Sequence, residues 1–195
     1  MNVVFIDRDG VINQFPGHGN YVTLVKDFHF LPGSKKALAE LTKNKFHIFV
    51  ISNQAGVGRG RFTQTKLDQI DAYLHRHIKA AGGKIQKSFY CTHHPDDKCD
   101  CRKPGLANVK KAAALVGRKI SGLKQCFFIG DGSVDINTGK AAGFKTILVL
   151  SGKGTKTSVA KEGAKPDYVV ANLSDAVKIV LDENLSRSRH SRSRP

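Results

Sequence analysis

Two acids set two residues apart, Asp7 and Asp9 in Phe5-Ile6-Asp7-Arg8-Asp9-Gly10-Val11-Ile12-Asn13, have the types and spacing to do chemistry together. On an extended backbone residues i and i+2 point the same way, so both carboxylates address one site. A carboxylate is a competent nucleophile toward phosphorus when a cation offsets its repulsion from a phosphate dianion. Magnesium, held by a carboxylate and a few further oxygens, supplies that offset. The second acid can protonate the departing alkoxide and then take a proton from the water that opens the acyl-phosphate. Gly10 permits a sharp turn that aims backbone N–H groups at a phosphate. The competing explanations are a solvated strand-end loop and a calcium loop, and the calcium loop fails because Val11 stands where an oxygen ligand is needed.

Three further segments bear on the same chemistry. Ser52-Asn53-Gln54 offers a hydroxyl and amides that can hold phosphate oxygens as charge shifts, although Ser-Asn is also an ordinary turn. In Gly130-Asp131-Gly132-Ser133-Val134-Asp135, Asp131 is placed to give magnesium a second carboxylate. Asp135 either orients its neighbours or caps the helix that follows. Lys103, in Cys101-Arg102-Lys103-Pro104, is a candidate to neutralise the equatorial oxygens of a loose phosphoryl-transfer transition state.

The run Cys91-Thr92-His93-His94-Pro95-Asp96-Asp97-Lys98-Cys99-Asp100-Cys101 places three of the four cysteines within eleven residues, as Cys-x-His, five residues, Cys-x-Cys. Three thiolates and one imidazole complete a tetrahedral zinc site and leave no position for a reactive water. The site is therefore expected to be structural, formed by Cys91, His93, Cys99 and Cys101, and to hold Arg102 and Lys103 over the chemistry. His94 is left as a supporting or substrate-facing residue. A disulfide fits less well, given the odd thiol number and a chain with no secretory start. Cys126 reads as a buried core thiol.

These residues need a scaffold. Apolar runs at 2–6, 47–52, 87–91, 125–129, 146–150 and 168–170 alternate with amphipathic stretches at 33–43, 63–81, 106–116, 134–142 and 174–184. Strands apolar on both faces, each followed by a helix, predict an α/β domain: a three-layer, Rossmann-like parallel sheet covered on both faces. Thr63 and Gly82-Gly83 read as the caps of the longest expected helix. Functional residues of such sheets gather at the carboxyl ends of strands. Asp7 and Asp9, Ser52 to Gln54, and Asp131 follow the first, second and fourth strands.

The chain has 195 residues and a net charge of +16. Four of its 32 basic residues lie in the tail 186–195, SRSRHSRSRP, and the other 28 still exceed the 16 acidic residues by 12. A basic body suits a phosphorylated small molecule; nucleic acid or another polyanion is expected only at the tail, which is too polar to order itself. The expected organisation is one domain over 1–185 and a solvated extension over 186–195. With no bilayer-spanning run and no signal-like start, the expectation is a cytoplasmic protein; it is also expected to be a monomer.

Together, Asp7-x-Asp9-Gly10, Ser52-Asn53-Gln54, Lys103 and Gly130-Asp131…Asp135 resemble the four motifs of the haloacid dehalogenase-like phosphatases. The Cys-x-His…Cys-x-Cys-Arg-Lys-Pro run is similar to their branch of heptose-bisphosphate and histidinol-phosphate phosphatases. The resemblance covers residues 2–182 and implies a capless fold. It implies Asp7 as nucleophile and Asp9 as general acid and base. Magnesium would sit on Asp7, the Asp9 carbonyl and Asp131, with Ser52 and Lys103 steadying the phosphoryl group. Asn53, Gln54 and Arg102 would contact substrate, and the cysteine cluster would hold zinc. Heptose enzymes commonly carry a lysine directly after the fourth-motif Asp, where this chain has Gly132. The compact zinc loop also suits the histidinol-phosphate relative, whereas Pro16 to Val22 before Phe28-x-Phe30-Leu31-Pro32-Gly33 is similar to the heptose branch. The Ser/Arg tail belongs to neither. The alternative from another class, a polyanion-binding protein that retains an inactive phosphatase fold, fits less well because all four strand-end motifs are intact.

Overall fold

The computed structural model describes residues 1–123 and 125–192. Burial along β1 (Asn2–Ile6) explains the layering. Val4 and Ile6 point to one face and pack with Leu38, Leu41, Ile70, Leu74 and Val177, while Val3 and Phe5 point to the other, with Val109, Ala112 and Phe144. Side-chain alternation thus commits the strand to a covered position with apolar layers above and below. The Phe5 ring stacks on Phe144 at 5.0 Å and on Phe49 at 5.9 Å between centroids.

The remaining strands are β2 (Phe46–Asn53), β3 (Ile85–Cys91), β4 (Phe127–Gly130), β5 (Lys145–Val149) and β6 (Tyr168–Val170). All pair in parallel in the order β3-β2-β1-β4-β5-β6, so β1 is central and the chain reverses direction of travel between β1 and β4. Helices α1 (Ser34–Lys43), α2 (Gln64–Ala80) and α6 (Leu173–Arg192) supply residues to the first apolar layer. Helix α3 (Ala107–Leu115) lies in the second, and α4 (Ser133–Ala141) and α5 (Lys156–Lys161) pack Ile136 and Val159 beside β5.

Most expected elements form within two residues of their expected ends. Thr63 caps α2, its hydroxyl accepting from the Lys66 N–H at 3.3 Å, and Gly82 at φ 84° closes that helix. Three differences stand out, the first two with local causes. The fourth strand starts at Phe127 rather than 125, because Gln125 takes a positive φ of 72° and leaves the extended region. Helix α5 was not expected; it is one polar turn, started by a Thr155 cap on the Ser158 N–H at 3.0 Å. Helix α6, 20 residues long and so longer than α2, continues to Arg192. The boundary expected at 185/186 falls inside it, and residues 193–195 of the expected tail lie outside the described residues. No helix among the described residues is long and apolar enough to cross a membrane.

Between Asn13 and α1 there is no inserted domain, only a loop containing a single turn at Val25–Asp27, as a capless architecture requires. That loop lends Phe15, Pro16 and Asn20 to the wall of the cleft described next.

Candidate active site

The carboxyl ends of β1, β2 and β4 open into one cleft of about 220 Å³. Of the expected residues, Asp7, Asp9, Ser52, Asn53, Arg102, Lys103 and Asp131 all line it. Gln54 does not; it is fully buried behind Asp9 and donates to the Asp9 carboxylate at 2.7 Å. It therefore positions an acid rather than touching a ligand in this arrangement.

Asp7 extends the β1 ladder by one rung, donating its N–H to the Ile129 carbonyl at 2.9 Å. Its Oδ1 lies 2.9 Å from the Lys103 ammonium, which also meets Asp135 Oδ1 at 2.6 Å and the Ile51 carbonyl at 2.8 Å. Burial alone would push the Asp7 carboxyl up. Lys103, the Ser52 hydroxyl and the Arg8 N–H outweigh that and hold it below the usual carboxylate range, so it is an anion. Burial likewise disfavours charge on Lys103, yet Asp135 and Asp7 keep the ammonium above its ordinary value.

Asp131 is the opposite case. Burial first, then repulsion from Asp135 and Asp7, pushes it up to about 7. Its Oδ2 accepts one hydrogen bond, from the Lys153 N–H at 2.8 Å. Oxygens of Asp7, Asp131 and Asp135 converge within 4.8 Å of one another, and Lys103 contacts only two of these acids. Convergent hard oxygens with too little positive charge fit magnesium. Gly10, at φ 79°, lets the β1 loop close on this site: a Cβ there would lie 2.3 Å from Asp131 Oδ2 and 2.8 Å from the Gly152 Cα.

Asp9 is turned away from that trio. Its carboxylate accepts a fork from Arg8 (3.1 and 2.9 Å), the Asn13 amide at 2.8 Å and the Gln54 amide. Arg8 is fully buried, with its guanidinium 5.6 Å from the centre of the Tyr90 ring. Asp135 fills both roles left open for it, accepting from the Gly132 N–H at 3.1 Å as a cap while its other oxygen fixes Lys103.

The cysteine cluster assembles as expected. Cys91 Sγ and Cys101 Sγ each lie 3.5 Å from Cys99 Sγ, and His93 Nδ1 is 3.1 Å from Cys101 Sγ and 3.8 Å from Cys91 Sγ. Edges of a tetrahedron with metal–sulfur bonds of about 2.3 Å measure roughly 3.8 Å, so the donor set fits zinc. All four cysteines are free thiols. Cys126 is buried in the core. His94 does not line the cleft; its Nδ1 accepts from the Asp96 N–H at 3.3 Å and caps the turn Pro95–Asp97 within the cysteine loop, a supporting place. The chain leaving the cluster is tied to β2, with the Lys103 N–H donating to Asn53 Oδ1 at 2.9 Å.

A parallel sheet of this order, with an Asp-x-Asp-Gly turn on its central strand and a lysine and two acids converging from later loops, is the arrangement of a haloacid dehalogenase-like hydrolase. Residues 100–176 match the HAD-hydrolase-like family. The D-glycero-beta-D-manno-heptose-1,7-bisphosphate 7-phosphatase of Neisseria meningitidis (serogroup A) is 34% identical over 186 residues, covering 94% of this chain and 97% of that protein. The enzyme of the same name from Pseudomonas putida is 34% identical over 157 residues, 80% of this chain and 87% of that one. The crystal structure of D,D-heptose 1,7-bisphosphate phosphatase from B. bronchiseptica, complexed with magnesium and phosphate, superposes with a TM-score of 0.84 at 31% identity, over 94% of this chain and 99% of that one. The chain belongs to the heptose-bisphosphate phosphatase family of haloacid dehalogenase-like hydrolases, and it is a phosphoric monoester hydrolase.

Proposed function

We propose that this enzyme removes the 7-phosphate of D-glycero-D-manno-heptose 1,7-bisphosphate, a step toward nucleotide-activated heptose for surface polysaccharide. The observation that carries the reaction type is Asp7: a buried anion at the head of the central strand, 2.9 Å from a buried ammonium, on the floor of the cleft. The names of relatives matched over nearly their whole length support the sugar.

In this reading an Asp7 oxygen attacks phosphorus, the bond from phosphorus to the sugar oxygen breaks, and Asp9, which enters the cycle as the protonated carboxyl, gives the leaving oxygen its proton. Asp9 next accepts a proton from water, whose oxygen attacks the aspartyl-phosphate; the Asp7–phosphorus bond breaks and inorganic phosphate leaves. Because Arg8, Asn13 and Gln54 engage the Asp9 carboxylate, both transfers require it to swing about Cα–Cβ toward the cleft. Ser52 and Lys103 hold the phosphoryl oxygens, and Asn53 and Arg102 face the substrate. Magnesium, bound by Asp7, the Asp9 carbonyl and Asp131, would neutralise the charge that opposes attack of an anion on a phosphate. The reaction belongs in the cytoplasm and needs one subunit; polyanion binding belongs to the basic C-terminal segment.

Turnover of both heptose bisphosphate anomers and of histidinol phosphate by the purified enzyme tests this directly. The expected result is the higher kcat/KM for a heptose bisphosphate; a preference for histidinol phosphate refutes the substrate assignment.

Zinc on Cys91, His93, Cys99 and Cys101 has a separate role, because the same loop carries Arg102 and Lys103. Stripping it with a strong chelator is expected to lower Tm and turnover together. Cys99→Ser should do the same, whereas selective removal of magnesium stops turnover and leaves Tm nearly unchanged. Metal analysis finding no zinc in native protein would end the claim.

A further inference from the structure

We propose that Lys153 is a substrate-positioning residue whose ammonium receives the second, non-transferred anionic group of the substrate, and that Gly132 is there to make room for it. The proposal rests on the bisphosphate reading above.

Lys153 follows β5 and lines the same cleft as Asp7, Arg102 and Asp131. Its N–H is committed to Asp131 Oδ2, but its ammonium makes no hydrogen bond or ion pair among the described residues. It is exposed, whereas Lys103 is 3% exposed. The two lysines divide the cleft by depth. Lys103, with Ser52, serves the floor where Asp7 reacts; Lys153 and the half-buried Arg102 face the mouth, where the rest of the substrate must lie. Its charge is felt by Asp131 and Asp135 without an ion-pair contact, and a lysine so placed at a wet cleft mouth suits an incoming anion.

Gly132 supplies an independent observation. At φ −146° and ψ 169° it is in the extended region that any residue adopts, so backbone strain does not demand glycine. A Cβ at 132 would nonetheless stand 2.7 Å from Lys153 Cε and 3.4 Å from Nζ; the next neighbour, Asp135 Oδ2, is at a comfortable 3.7 Å. A side chain at 132 would therefore meet chiefly the far end of Lys153, which would have to shift, so the two positions share one space.

Steady-state kinetics on heptose 1,7-bisphosphate and on a heptose 7-monophosphate, which has no second phosphate, test the proposal. Lys153→Ala is expected to raise KM for the bisphosphate roughly tenfold or more, with kcat within about twofold, and to leave the monophosphate unaffected. Gly132→Ala, which pushes the lysine end aside, should give part of the same loss and add nothing in the Lys153→Ala background. Gly132→Lys in that background should recover most of the bisphosphate KM, which a merely structural lysine would not allow. Equal effects on both substrates overturn the proposal, as does a changed half-saturating magnesium concentration with the bisphosphate KM unmoved, since Lys153 then serves Asp131. A parental enzyme inactive on heptose bisphosphate overturns the underlying reading and this inference with it. An active parent with an unaffected Lys153→Ala variant overturns the inference alone.

Discussion

Asp7→Asn abolishes turnover: kcat falls by at least about 10⁴-fold, the scale on which enzymes lose activity when a covalent nucleophile is removed. The amide has the size of the acid but no anionic oxygen to bond phosphorus. The fold should survive, because the exchange alters charge without altering volume. Lys103 keeps Asp135 and the Ile51 carbonyl as partners, and Asp131 and Asp135 lose a neighbour that repels them. The lost attraction and the relieved repulsion oppose one another, so Tm should stay within a few degrees of the parent. Inorganic phosphate release gives the first number and a thermal melt the second. Mass spectrometry of acid-quenched enzyme should show a phosphoryl adduct on the parent and none on the variant. Parental phosphate release by pure Asp7→Asn protein would defeat the covalent mechanism.

The features legible in the sequence were local ones. Asp7 and Asp9 could be placed because β1 is apolar on both faces and then turns polar within one residue, which fixes where the sheet ends. The zinc ligands lie within eleven residues of one another, so spacing carried nearly all of their geometry. The features that stayed hidden join distant positions. Asp135 and Lys103 are 32 residues apart, and only the folded chain brings their side chains together. Lys153 looks like any other of the chain's many lysines until it is seen against Gly132. Arg8 has the opposite problem: between two acids it reads as a solvated charge, yet it is fully buried and anchors Asp9. Gln54, next to two residues that do line the cleft, reads in the sequence as a third contact, yet it lies behind Asp9 and donates to it. Residue type announced the chemistry; which polar group reached the cleft and which held another in place depended on burial.

Lys103→Met is expected to damage both activity and stability, and the pH dependence of the damage separates its causes. The ammonium is buried against Asp7 and Asp135, so methionine keeps the stem and deletes the charge. Breaking one partner out of a buried ion pair typically costs about 3–5 kcal/mol. For a domain of this size that corresponds to a Tm lower by roughly 6–20 °C. Loss of the charge facing the phosphoryl oxygens should cut kcat by a further 10²- to 10³-fold or so, as with other preorganised donors. In the parent, Lys103 opposes burial and holds the Asp7 carboxyl down, a contribution present above the unfolded carboxylate pKa and lost as pH falls through the lower folded one. Without Lys103, burial raises both acids, so the folded variant binds more protons than its unfolded chain and loses stability as pH rises. The Tm deficit should therefore be largest near neutrality and shrink toward about pH 5. Lys103→Arg should rescue little, because a planar fork does not fit a socket shaped for a point charge between two carboxylates and a carbonyl. A deficit independent of pH would mean that the lysine stem, rather than its charge, holds the loop to the sheet.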